Sequence, residues 1–388
     1  MIEEIANGFS EELIKIRRIL HAIPELSDNE YKTSSFIIDY LNKLGIENQR
    51  MLDTGVVALI KGKKGKGRTL LIRADIDALP INENNDIPYK SLHDGVMHAC
   101  GHDAHIVCAL GMCMILKEIN NDFSGNIKIA FQPAEESTGG ALRMIENGVL
   151  DNPSVDASVA LHVEPLASVG TIQYRNGAIM ASPDDFKIII KGVGGHGACP
   201  SNCINPIYPA SELSKSFKSI VRKNFKDTSE CVVSVCTINS GTKNNIIPDT
   251  AEISGTARSL TDATRDKIEA LLEKYAKKIC KKYKCKYEFI FNRMYPPVIN
   301  NSDMNNLLIK SAGSIRAINK IEKLKKSSMT GDDFSYFANR IPSVYFKLGA
   351  GNEYINKPLH SQNFNIDEKC LTIGAALLTK ISLNYLEC

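Results

Sequence analysis

The chain has 388 residues, 43% of them hydrophobic and 23% charged, with a formal net charge of +3. That length favours two domains over one, and the composition is that of an ordinary globular protein rather than a disordered or fibrous one. The small charge implies no nucleic-acid partner, and the absence of any apolar run near ~20 residues implies no membrane span.

The most basic run, 277–286, holds six lysines and no acid, and reads as a solvated helix end because few aromatics interleave. Eleven cysteines show no pair spacing that resembles a zinc or redox pattern. With no secretory signal at Met1 they read as reduced thiols, which makes the expected location the cytoplasm.

Residues 10–21 read as a helix capped by Ser10, with Glu11 and Glu12 at its positive end and Leu13, Ile16 and Leu20 on one face. Pro24 stops it. A second helix spans 30–44 and ends at Gly45. Strands are expected at 56–61 and 69–74 around a Gly/Lys turn. The second is nearly all apolar, as buried strands of α/β sheets are. It runs into Asp75-Ile-Asp77, so two carboxylates sit just past a strand end, where open α/β folds place their sites. A helix at 105–119, a strand at 125–132, a helix at 139–148 and a strand at 158–162 follow.

Near residue 180 the texture changes. Strand 185–192, helix 206–223, strands 230–240 and 249–258, helix 261–283 and strand 286–293 form the split βαβ order of a small ferredoxin-like, two-layer α+β domain. After Pro296-Pro297 the helix-and-strand texture returns, through 342–348 to a helix at 368–385. The expected organisation is a discontinuous first domain, 1–180 with 296–388, carrying an inserted domain at 181–295.

The densest chemistry lies at 97–105, Met-His-Ala-Cys-Gly-His-Asp-Ala-His. Cys100 and His102 are two apart, which suits an extended strand or a tight loop with both side chains on one side. Thiolate and imidazole together prefer zinc-like borderline cations, with Mn, Co or Ni open as well. Two ligands cannot hold a metal. Glu136, His162 and His360 are the candidate partners, and the Glu136 and His162 motifs also read as following strand ends. Taken singly, each has a bland alternative: a core or surface histidine, or a solvated helix start at Glu135-Glu136.

Six motifs carry a resemblance. His21-Ala-Ile-Pro-Glu-Leu-Ser27, Arg73-Ala-Asp-Ile-Asp-Ala-Leu-Pro80, 98–105, Phe131-Gln-Pro-Ala-Glu-Glu136, Gly194-Gly-His-Gly-Ala198 and Asn245-Ile-Ile-Pro-Asp249 resemble the co-catalytic metallo-amidohydrolases of the aminoacylase/carboxypeptidase class. Hippurate hydrolases, auxin-conjugate hydrolases and N-acetyl-diaminopimelate deacetylases belong to that class. The likeness runs in order from about residue 10 to about 380. It implies a three-layer α/β/α catalytic domain with an inserted lid or dimerisation domain, and a homodimer built through it. It implies two divalent metals, bridged by Cys100 and completed by His102, Glu136, His162 and His360, with Glu135 as general base. It also implies that His196 reaches the substrate oxyanion from the partner subunit. Asn245 and Arg258 match substrate contacts, the arginine holding a carboxylate, although a rim salt bridge is an equal reading for Arg258. Asp75 and Asp77 would orient a ligand histidine or cap a loop.

Some positions depart from the pattern. Ser201 and Asn205 stand where relatives often have His and Asp. Asp332 stands where Glu is usual, Gln362 replaces a common proline, and Glu164 stands where many relatives carry an aromatic. None removes a ligand or the base; all bear on substrate fit.

The reading that follows is a dimetal amidohydrolase acting on a small N-acyl amino acid. A carboxypeptidase or dipeptidase of the same chemistry is the alternative. A different mechanism would use Cys100 as nucleophile with His98 or His102 as base. A non-catalytic relative would have lost a ligand or the base, and all six positions are filled.

Overall fold

Every residue of the strand Thr69–Asp75 is buried in the computed structural model, which describes residues 1–119 and 121–387. A strand buried on both faces belongs inside a sheet with helices on each side. It lies fourth in an eight-stranded sheet whose order is Glu47–Met51, Gly55–Lys61, Asn126–Gln132, Thr69–Asp75, Ala157–Ser168, Ser343–Gly351, Thr171–Tyr174 and Lys320–Lys323. The four central strands run parallel; Gly55–Lys61 and Thr171–Tyr174 flank them antiparallel. The fold is therefore mixed α/β. Glu47–Met51, with the polar sequence ENQRM, was not expected as a strand; it is an edge strand with a mostly exposed face, so no apolar pattern marks it.

The helix His102–Glu118 is buried from His102 through Leu116. Helices apolar all round belong in a core, and this one packs against Lys369–Leu386, Ser10–Ala22 and the strand Thr69–Asp75. Ser10 does not cap its helix. A first helix, Ile2–Gly8, leads straight in through Phe9, and Ser10 is the first helical residue with no capping hydrogen bond. Glycine at residue 140 is forced by close approach: a Cβ there would meet Pro133 O at 1.9 Å.

The chain divides into two units, Met1–Gly177 with Ile299–Lys325 and Asp333–Cys388, and Ala178–Val298 with Lys326–Asp332. Residues 326–332, read from sequence as part of the first domain, cluster with the second unit. That unit has a four-stranded antiparallel sheet ordered Cys231–Ser240, Thr250–Ser259, Ser182–Lys191 and Lys286–Arg293. Helices Ile207–Phe217 and Asp262–Lys282 pack on it around Phe186, Ile188, Phe217, Ile253 and Leu272. The helix expected at 206–223 is two, broken before Ile220–Asn224. Every described cysteine is a free thiol. Among the described residues, no helix is long and apolar enough to cross a membrane.

In the first unit, a buried polar knot ties the helix Ser10–Ala22 to the start of His102–Glu118. Asp103 accepts from Arg17 Nε at 2.9 Å and from His21 Nδ1 at 2.7 Å, and all three are fully buried. Removing one partner strands a buried charge. Arg17→Met should therefore cost about 3 kcal/mol and lower the Tm read by circular dichroism. Arg17→Met with Asp103→Asn should lose less than the sum of the two single changes.

Candidate metal centre

Gly101 takes a φ of +86° and turns the chain so that the helix begins at His102. A Cβ at residue 101 would lie 2.3 Å from Val163 Cγ2, so glycine is required by conformation and by space. The tight-loop reading of the Cys100–His102 spacing holds and the strand reading does not. The helix starts three residues earlier than expected.

His162 does not follow a strand end. Its strand runs from Ala157 to Ser168. Arg73 pairs with Ala160, so two residues on Asp75 and His162 stand level, and Asp75 itself pairs with Gln132. His162 thus sits at the carboxyl edge of its neighbours, and its own strand continues beside Ser343–Gly351. Glu135 and Glu136 lie just past Gln132, beyond Ala134 at φ +55°. His360 arrives on a loop at φ +62°, its amide donating to Ala99 O at 2.8 Å.

These segments bring five predicted donors together. Cys100 Sγ lies 3.5 Å from His162 Nε2. Glu136 Oε1 lies 3.3 Å from His360 Nε2 and 3.9 Å from His102 Nε2. Donor atoms of Cys100, His102 and His162 lie within 4.8 Å of one another, as do those of Cys100, Glu136 and His360, and those of His102, Glu135 and Glu136. The set fits divalent cations on its own chemistry. His102 Nε2 and Glu136 Oε1 are buried and have no hydrogen-bond partner, an arrangement that is costly unless a cation completes it. The other imidazole nitrogens are committed: His102 Nδ1 to Asp77 O at 2.8 Å, His162 Nδ1 to Val163 O at 2.7 Å. That turns each Nε2 toward the cluster.

Electrostatics point the same way. Burial, with Glu136 and Glu135 nearby, pushes the Cys100 thiol well above its ordinary range. Burial, with His105 beside it, pushes His162 well below its own. Burial also works against the His102 imidazolium, but Asp75, Asp77 and Glu136 outweigh it and raise His102 to about 10. A thiol pushed up stays protonated, whereas the nucleophile of a cysteine enzyme is the thiolate. A cluster this rich in acids is instead one that cations neutralise.

Asp75 and Asp77 both orient histidines. Asp77 Oδ1 lies 3.2 Å from His102 Nδ1, and its Oδ2 accepts from Ser27 Oγ at 2.7 Å and from Glu136 N at 3.0 Å. Asp75 pairs with Arg73 and with His105 Nδ1, and His105 Nε2 accepts from Val163 N at 2.9 Å. Sequence reasoning passed over the positioning contacts of Arg73, which pairs with Asp75, Gln132 and Asp333, and of Glu30, which accepts from Ala134 N. A signal was there: an arginine inside an otherwise apolar, fully buried strand needs an acidic partner.

His196, Asn245 and Arg258 belong to the second unit. His196 pairs in a short ladder with Ile246, and Gly197 N donates to Asn245 O at 2.8 Å, so His196 and Asn245 are neighbours. Arg258 stands apart from them on Thr250–Ser259, across from Val232 and Pro183. Some departures find partners: Glu164 accepts from Lys347 Nζ at 2.6 Å, and Asn205 Oδ1 accepts from Ile207 N at 3.0 Å at a helix start.

Comparisons with known proteins agree with this geometry. The model of peptidase family M20/M25/M40 matches residues 71–384. Thermostable carboxypeptidase 1 of Saccharolobus solfataricus is 39% identical over 99% of this chain and 99% of its own length. N-acetyl-L-cysteine deacetylase of Bacillus subtilis is 37% identical over 97% of this chain and 89% of its own. A Bacillus subtilis crystal structure described as a dinuclear metal-binding peptidase of the M20 family superposes with a TM-score of 0.86 at 33% identity, covering 98% of this chain and 99% of that one. With its donors gathered at the carboxyl edge of a parallel sheet and its whole length matched, the chain belongs to peptidase family M20/M25/M40 and is a hydrolase of that family.

Proposed function

We propose that this protein is a metal-dependent amidohydrolase that cleaves N-acyl amino acids into a carboxylate and a free amino acid. One observation carries the reading: Cys100, His102, Glu136, His162 and His360 converge, with His102 Nε2 and Glu136 Oε1 buried and without a hydrogen-bond partner, and Glu135 lies beside His102 and Glu136. The deacetylase name of a close relative supports the substrate class. A carboxypeptidase name stands beside it, so peptide substrates are the second reading. The two share a chemistry, an amide followed by an amino acid with a free carboxylate.

Two divalent cations held by the five donors would lower the pKa of a water and polarise the scissile carbonyl. Their identity among Zn, Mn, Co and Ni is left to experiment. Glu135 is not among the five donors. It takes the proton of the attacking water and delivers it to the departing amine, which is a poor leaving group unprotonated. Burial to 8% exposure keeps Glu135 in a low-dielectric setting suited to that transfer. His102 and His162 hold their positions through Asp77 O and Val163 O. We extend the proposal to the second unit: His196 stabilises the developing oxyanion from the partner subunit of a homodimer, Arg258 holds the substrate carboxylate, and Asn245 is a further substrate contact.

A hydrolysis screen of N-acyl amino acids and dipeptides, on protein loaded separately with Zn, Mn, Co and Ni, tests the reading; no turnover with any metal would sink it. Chelation with EDTA should abolish activity and readdition restore it, whereas a cysteine-nucleophile enzyme would survive. Glu135→Gln should retain its metal by elemental analysis and lose about 10²–10⁴-fold in kcat. Mixing His196→Ala and Glu135→Gln subunits should restore part of the activity; confirmed exchange without recovery would refute action across the dimer.

A further inference from the structure

We infer that Glu30 and Asp333 are positioning residues, two buried carboxylates that clamp the turn 132–136 and so set the directions of Glu135 and Glu136. The inference deepens the proposed function and rests on its reading of those two glutamates.

The turn has a demanding task. Two successive carboxylates must face different ways, one toward metal and one toward substrate. The backbone meets it with Ala134 at φ +55°, a conformation unfavourable for any residue with a Cβ. Such residues persist where their surroundings over-determine them. Here the surroundings are specific. Glu30 Oε1 accepts from Ala134 N at 2.8 Å, while Thr54 Oγ1 donates to Glu30 Oε2 at 2.7 Å. Gly139 N closes the turn on Ala134 O at 2.9 Å.

Asp333 holds the Gln132 side chain at the start of the turn and the helix that follows it. Upstream, its two oxygens accept from Gln132 Nε2 at 2.9 and 2.8 Å. Downstream, its Oδ2 accepts from Ala141 N at 2.9 Å, in the first turn of the helix Gly140–Glu146. Arg73 locks the assembly, donating to Gln132 Oε1 at 2.8 Å and to Asp333 Oδ1 at 2.9 Å. Glu30, Gln132 and Asp333 are each 0% exposed.

A carboxylate only accepts, so it can pair with N–H groups and cannot be satisfied by a carbonyl. Two such groups around one turn leave its backbone a single well-bonded arrangement. Displacement of a reacting group by about 1 Å is enough to slow catalysis strongly, so holding the turn is holding the chemistry. Neither residue needs to touch substrate.

The test uses full-length Glu30→Ala, Glu30→Gln and Asp333→Asn. Glutamine at position 30 keeps an acceptor for Ala134 N and offers a donor to Thr54, so it serves as the rescue. Hydrogen exchange should quicken about tenfold in peptides spanning 131–141 of Glu30→Ala, with the rest of the chain unchanged. Its kcat should fall about 10–100-fold with KM within about threefold, and its divalent-metal affinity should weaken. Glu30→Gln should return within about threefold of the parent on every measure. Asp333→Asn should quicken the same peptides, because its amide meets Arg73. Unchanged local exchange in folded Glu30→Ala, exchange that quickens throughout the first unit, or failure of the glutamine rescue would each overturn the clamp. Loss of fold in both Glu30→Ala and Asp333→Asn would do so too, since a clamp predicts local damage. A parent protein inactive on every N-acyl amino acid would refute the proposed function instead; the exchange data decide the clamp separately.

Discussion

A single buried ion pair anchors the candidate centre. Arg73 and Asp75 lie two residues apart on the one strand whose every residue is buried, and so share a face of it. Neither charge is tolerable there alone, because a buried unpaired charge costs several kcal/mol. Together they are also connectors. Arg73 reaches Gln132 and Asp333; Asp75 reaches His105 and lies 3.7 Å from His102 Nε2. Burial works against the Asp75 carboxylate, but Arg73, His102 and His105 hold it well below its ordinary range. It is therefore a fixed negative charge behind the donors.

This arrangement places the donors on stiff supports. Asp75, Gln132 and His162 stand level at the carboxyl edge of three adjacent parallel strands. Cys100 precedes, and His102 begins, a helix that is buried from His102 through Leu116. His360 comes from a loop, and its side chain is about half exposed. Its amide bond to Ala99 O ties that loop to the backbone beside Cys100. Sites built on strands and helices hold geometry better than sites built on loops, and four of the five donors follow that rule or sit within a few residues of such an element.

Much of this was legible in the chain. The apolar run at 69–74, the helix ending at Gly45 and the split βαβ order each follow from local periodicity and stop signals, and the elements found match them closely. Where the reading slipped, a tertiary cause can be named. Ser10 has the chemistry of a cap, but a preceding helix runs into it. His162 seemed to end a strand because the apolar run stops there, while pairing with Ser343–Gly351 carries the strand six residues further. Glu47–Met51 has no apolar face to announce it.

The sequence by itself determined the donor types, the presence of two carboxylates after Gln-Pro-Ala, and the order of elements, because these depend on side-chain chemistry and on contacts between near neighbours. Tertiary structure alone decided which donors meet, that Gly101 must turn against Val163, and that Glu30 and Asp333, 303 residues apart in the chain, grip one turn. The reason is that packing, not sequence distance, sets who is close: a parallel sheet brings its carboxyl ends to one edge however long the connections between strands.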